Sequence, residues 1–275
     1  ELVRYCDVPR LRAESQQPSG WRSRGLRMAV QWLESGAISV QAGRGGSLLL
    51  DMGHVSLSHV QLGGMVFGDL ETSVQEALVR HLGDGGVLYD IGANVGFFAL
   101  LGARLAGRPD GLVYAFEPAP ANVRAIQANA TLNQMPNIVV VPRAVGARSG
   151  VARLQLVEDQ SWSKLEEYGA HPETEQVIDV EMVSIDQWLG ENGLRPPTVI
   201  KIDVEGAELA VVEGMRDTLA EHRPAIICEL HETQREFVHA MEDLGYRTTN
   251  LDGAVPVEQT TGNLHALALP ARPIG

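Results

Sequence analysis

The chain of 275 residues carries 35 Asp and Glu against 22 Lys and Arg, a formal charge of −13, and 44% of it is hydrophobic. That is a globular make-up, long enough to bury a real core as one domain plus an appendage or as two small domains. Its acidity disfavours nucleic acid and anionic lipid as partners, and no apolar run reaches the ~18 residues that a membrane span needs.

Residues 1–69 read as an N-terminal appendage. RGLRMAVQWLESG (24–36) has the pattern of a helix, and SLLLDMGHVSLSHVQLGGMVF (47–67) that of short strands. Ser73-Val-Gln-Glu76 offers a capping box for a helix ending near Leu82. From Val87 onward short β-rich runs alternate with helical stretches. The runs are VLYDI (87–91), LVYAF (112–116), IVVV (138–141), TVIKI (198–202) and AIICEL (225–230). The helices fall over Val95–Leu105, Ala119–Leu132, Ala207–Leu219 and Thr233–Leu244, the last opened by a capping box from Thr233 to Glu236. This alternation predicts βαβ units and a parallel sheet covered on both faces. VARLQLV (151–157) and VIDVEMV (177–183) read as paired edge strands around a long connection, 158–176, with the size of a lid and Trp162 as its anchor. LHALAL (264–269) is a final strand. Cys6 and Cys228 form neither a disulfide framework nor a zinc site, and Cys228 reads as a buried thiol, which fits a reducing cytoplasm. The chain begins at Glu1, which leaves room for a trimmed leader.

The turn after the first of these strands reads Asp90-Ile-Gly92-Ala93-Asn94-Val-Gly96. A dinucleotide fingerprint needs a middle glycine, against which a pyrophosphate lies; here Asn94 stands in its place. Glu117 ends the next strand, 21 residues beyond Gly96, where an acid holds ribose hydroxyls. A ribose without a pyrophosphate is the shape of S-adenosylmethionine. The plain alternative is a turn with glycines for packing and Glu117 as a helix cap. Two further strand tips are rich in acid: KIDVEG places Asp203 and Glu205 two residues apart, and CELHET does the same with Glu229 and His231. Adjacent strands would bring these four together as catalytic candidates, with His231 as general base and Asp203 orienting the acceptor or meeting the donor's amino group. The cluster would also admit a divalent cation, but no ligand spacing compels one, and no metal is expected.

The stretches VLYDIGANVGFFAL, YAFEPAPANV, VSIDQWL and VIKIDVEGAELAVVEGM, in that order, closely resemble the FkbM-type family of S-adenosylmethionine-dependent methyltransferases over about 70–251. The resemblance implies an α/β fold of class I methyltransferase type over 70–275, a Rossmann-like seven-stranded, mostly parallel sheet with LHALAL inserted antiparallel. It implies a cofactor site at Asp90, Gly92, Ala93, Asn94, Gly96, Glu117, Pro118, Ala144 and Asp203. Where many methyltransferases place an acid for the adenine amine, this chain has Pro142 and Arg143. The activity expected is O-methylation of a small-molecule hydroxyl, on a sugar or secondary metabolite. N-methylation of a peptide or small molecule, and an NAD(P)-dependent oxidoreductase, are the alternatives, with a non-catalytic nucleoside sensor behind them. The appendage could supply substrate contacts or a homodimer interface.

Overall fold

The computed structural model describes residues 37–43, 46–51, 61–62, 64–65, 68–107, 109–157 and 163–271. The helix expected over 24–36, the anchor Trp162, Cys6 and most of the strands expected over 52–67 lie outside them.

In chain order the elements are β1 (Ala37–Gln41), β2 (Ser47–Asp51), α1 (Thr72–His81), β3 (Val87–Ile91), α2 (Phe97–Ala106), β4 (Leu112–Phe116), α3 (Pro120–Leu132) and β5 (Ile138–Val141). There follow β6 (Ala144–Val145), β7 (Gly150–Leu156), β8 (Lys164–Leu165), β9 (Gln176–Val183), α4 (Ile185–Asn192) and β10 (Val199–Ile202). The chain continues through α5 (Glu208–Glu213), α6 (Arg216–His222), β11 (Ala225–Leu230), α7 (Gln234–Asp243), β12 (Tyr246–Asn250) and β13 (Leu264–Pro270).

Seven strands form the central sheet in the order β12-β13-β11-β10-β3-β4-β5. The pairs from β11 to β5 are parallel, and β13 runs antiparallel between β11 and β12. This is the expected class I methyltransferase arrangement. Alternate strand residues enter two cores: Leu88, Val113, Val199 and Ile227 face α1 and α2, while Tyr89, Phe116, Ile202 and Cys228 face α4 to α7. The pair expected at 151–157 and 177–183 is present as antiparallel β7 and β9, but it belongs to a separate four-stranded sheet with β6 and β8.

β1 and β2 form a hairpin on α3, where the Asp51 amide donates to Asn129 Oδ1 (2.6 Å) and the Leu49 amide to Asn133 Oδ1 (2.9 Å). Val40, Leu48 and Leu50 join the same apolar core as α1 and α2.

Local sequence rules fail at three places, each time because a distant partner claims the group. The helix expected over 207–219 breaks between α5 and α6, since a Cβ at Gly214 would lie 2.0 Å from the Gly146 carbonyl oxygen. Asp186 then caps α6, accepting from the amides of Asp217 (3.0 Å) and Thr218 (2.8 Å). Thr233 does not cap α7; its hydroxyl donates to Glu208 Oε2 at 3.3 Å. Nor does Ser73 cap α1, which starts at Thr72; its hydroxyl donates to Asp252. The seventh strand, β12, was not apparent from hydrophobicity, because YRTTN buries only Tyr246.

The tips of β3 and β10 are stitched together. The Asp203 amide donates to the Ile91 carbonyl at 2.9 Å, and a Cβ on Gly92 (φ +81°) would lie 1.9 Å from the Asp203 carbonyl oxygen. Glycine is demanded there by the neighbouring strand tip. Gly92→Ala is therefore expected to lose about 2–4 kcal/mol of stability, from forbidden φ plus overpacking. Denaturant unfolding reads this, and a variant as stable as the parent contradicts the stitch.

Candidate active site

At the carboxyl tips of β3, β4, β10 and β11 lies a cavity of about 520 Å³, within the range of small-molecule sites. Gly92, Asn94, Glu117, Pro118, Ala144 and Asp203 line it, as do Glu205 and Glu229. Among the candidates, Asp90, Ala93, Gly96 and His231 do not. Asp90 and Ala93 are buried behind the turn, and Gly96 (φ +88°) starts α2 close against Ile126.

The turn after β3 is braced from β4, because the amides of Gly92 and Ala93 both donate to the Phe116 carbonyl at 3.0 Å. Asn94 takes a left-handed φ of 50°, and its amide donates to Glu117 Oε2 at 2.9 Å. Glu117 Oε1 accepts from the Ala119 amide at 2.9 Å. Glu117 thus both ties the turn to α3 and lines the cavity, so the capping reading and the binding reading describe one residue. Burial outweighs these amide bonds and raises its carboxyl to about 7. Asn94 Oδ1 and Asn122 Oδ1, both buried and on the cavity wall, have no hydrogen-bond donor. With Glu117 they present an acceptor-rich wall suited to a ligand bearing hydroxyls and an amine, as a nucleoside does.

Lys201 is buried between the strands, directly across from Asp90 in the β3–β10 register. Its Nζ lies 2.8 Å from Asp203 Oδ2 and 4.6 Å from the centre of the Phe98 ring. Burial opposes the charge of Asp203, but Lys201 outweighs it and holds the carboxyl below its ordinary value. Asp90 is the counter-case: burial dominates and raises it to about 6, against the pull of Lys201.

The second cluster joins the tips of β10 and β11, which are neighbours. His231 Nδ1 is 2.5 Å from Oε1 of fully buried Glu208, and its Nε2 lies 3.5 Å from Glu205 and 3.6 Å from Glu229. Burial disfavours the imidazolium, but the Glu208 bond and the charges of Glu205, Glu208 and Glu229 push His231 up to about 9. At neutral pH it is an acid rather than a base. Glu208 and Glu71, which lines the cavity from the start of α1, were missed as site residues. The one sequence signal for Glu208 was its place at the end of the acid-rich KIDVEGAE stretch; Glu71 had none, as α1 is distant in sequence.

Two groups, Asp203 with Glu229 and His231, and Glu71 with Glu229 and His265, each bring three donor atoms within 4.8 Å. A cation there would first have to displace a ring proton. His171 lies off the cavity wall, whereas Ser163, Lys164 and Leu165 supply one side of it.

Lys201 is the counter-charge on which the buried acids depend. Lys201→Met should cost about 3–5 kcal/mol, the usual penalty for stripping one partner from a buried pair. Adding Asp203→Asn should return part of the loss. Urea unfolding measures both, and a single variant of unchanged stability contradicts this role.

The profile of the FkbM methyltransferase domain matches residues 90–248. A 31-O-demethyl-FK506 methyltransferase from Streptomyces tacrolimicus is 28% identical over 207 residues, 64% of this chain and 78% of that protein. A hexuronic acid methyltransferase from Haloferax volcanii is 28% identical over 162 residues, 58% of this chain and 62% of its own length. An FkbM methyltransferase structure from Methylobacillus flagellatus aligns with a TM-score of 0.47 at 15% identity, covering 78% of this chain and 56% of that one. The profile match spans more than half of the chain and sets aside the nicotinamide reading: this protein belongs to the FkbM-domain methyltransferases, and it is a methyltransferase.

Proposed function

We propose that the protein is an S-adenosylmethionine-dependent O-methyltransferase acting on a small-molecule hydroxyl. The observation that carries the reading is one cavity lined by two unlike groups of side chains, taken here as its two ends. One end has Glu117 with the acceptor-rich side chains of Asn94 and Asn122; the other has Asp203, Glu205 and Glu229. Ribose hydroxyls suit the first end. A cationic sulfonium amino acid suits the second, where Asp203 stays ionised through Lys201. Ala144 and Arg143 form the wall beyond Glu117, and Arg143 is held by Glu181 at 2.6 Å.

When bound, the donor supplies an electrophilic methyl group on a positively charged sulfur. The chain's own tasks are then to align an acceptor, exclude water and take a proton. Leu154 and Leu165 of the smaller sheet supply apolar wall, and Lys164 a cation. The names of the relatives, a 31-O-demethyl-FK506 methyltransferase and a hexuronic acid methyltransferase, support a hydroxylated small molecule as the acceptor class. Residues 70–275 are the donor-binding unit in this reading, and 1–69 the appendage that precedes it.

Titration calorimetry tests the donor. S-adenosylmethionine should bind and NAD should not, and Glu117→Ala should weaken binding by roughly 10–100-fold, the worth of hydrogen bonds to a buried charge. Heat from NAD alone, or unchanged affinity in Glu117→Ala, contradicts the proposal. Methyl transfer assayed on hexuronic acids, on 31-O-demethyl-FK506 and on an amino sugar separates oxygen acceptors from nitrogen ones by the product formed.

A further inference from the structure

Glu229 occupies an unusual position. Its carboxylate lines the cavity, yet each of its oxygens faces a different histidine at ion-pair distance: Oε1 lies 3.6 Å from His231 Nε2, which also lies 3.5 Å from Glu205, and Oε2 lies 3.8 Å from His265 Nε2, which also lies 3.3 Å from Glu71. The His265 contact is written into the sheet, since Glu229 and His265 are direct partners in the antiparallel β11–β13 register. Each histidine is itself pinned by an acid on its other ring nitrogen. Glu208 holds His231 Nδ1 at 2.5 Å, and Asp252 holds His265 Nδ1 at 2.9 Å. Both acids are fixed in turn. Glu208 accepts from the Gly206 amide and the Thr233 hydroxyl, and Asp252 accepts from the Ser73 hydroxyl and the His265 amide. Neither histidine reaches the cavity wall; Glu229 does.

We propose that Glu229, and not His231, takes the proton from the acceptor, and that His231 and His265 are positioning residues, each locked by its own carboxylate, that set a positive charge beside each oxygen of Glu229. The proposal rests on the methyl-transfer reading above. The acceptor's hydroxyl proton passes to a Glu229 oxygen, and a lone pair of the acceptor oxygen becomes the new bond to the methyl carbon. The old carbon–sulfur pair stays on sulfur, so a sulfonium and a carboxylate become a thioether and a carboxylic acid, and charge balances.

The electrostatics agree with the geometry. Burial, with the charges of Asp203 and Glu71, raises Glu229 to about 7 against the opposing pull of His265 and His231. A carboxylate poised there is suited to accept a proton near neutrality. Burial disfavours a charged His265 as well, but Glu71, Glu229 and Asp252 outweigh it and push the ring up to about 9.

The test has one arm that needs no acceptor and one that does. In carboxyl-labelled protein followed by carbon NMR, the resonance lost in Glu229→Gln should titrate near pH 7. In His265→Asn it should titrate at higher pH, because a neighbouring positive charge is gone. Nitrogen NMR should show His231 and His265 losing their protons at lower pH in Glu229→Gln than in the parent. In turnover, Glu229→Gln should lower kcat by roughly 100-fold or more at saturating donor, the scale of general-base catalysis. His265→Asn and Glu208→Gln should move the acid limb of the kcat profile to higher pH and recover there, a shift that mere loosening would not produce. Glu229 titrating below pH 5, or Glu229→Gln retaining parental kcat, overturns the inference while donor binding stands. A parent protein that binds no S-adenosylmethionine overturns the methyl-transfer reading, and this one with it.

Discussion

One close approach organises the site: the backbone of Asp203 lies against Gly92, its amide bonded to Ile91 and its carbonyl in the space a side chain would fill. This contact brings the tips of β3 and β10 together. It turns Asp203 into the cavity and fixes the bend that carries Asn94 beside Glu117. Without glycine at 92 the two tips must separate, and the continuity between the cavity's ends is lost.

The second constraint is charge. Glu71, Asp203, Glu205 and Glu229 crowd one end of the cavity, with Glu208 and Asp252 behind them. Lys201, His231 and His265 answer that charge from buried or half-buried positions, and acids remain in excess even when all three are protonated. Such a surplus favours a cationic ligand over an anionic one, which matches a sulfonium donor and disfavours a pyrophosphate. It also explains why neighbouring acids behave differently. Asp203 touches a buried cation and stays ionised, whereas burial and the charge of Asp203 raise Glu229 toward neutrality against its more distant histidines.

Much of this was legible in the sequence, because strand runs and glycine turns are local signals. The βαβ alternation located β3, β4, β5, β10 and β11, and the spacing from Gly96 to Glu117 pointed to the cavity wall. What stayed hidden depends on pairing between distant segments. His265 beside Glu229 follows only from the β11–β13 register, and Glu71 reaches the site from a helix far upstream. The close approach of the Asp203 backbone to Gly92 was hidden for the same reason. His231 looked like a base because a free imidazole titrates near neutrality; three surrounding carboxylates change that.

The most direct measurement is a crystal structure of the protein with S-adenosylhomocysteine. The account predicts ribose hydroxyls on the Glu117 carboxylate, the amino acid moiety near Asp203, and the sulfur facing the Glu229 side of the cavity. A complex in which the nucleoside lies elsewhere, with Glu117 still bonded only to the amides of Asn94 and Ala119, would contradict it.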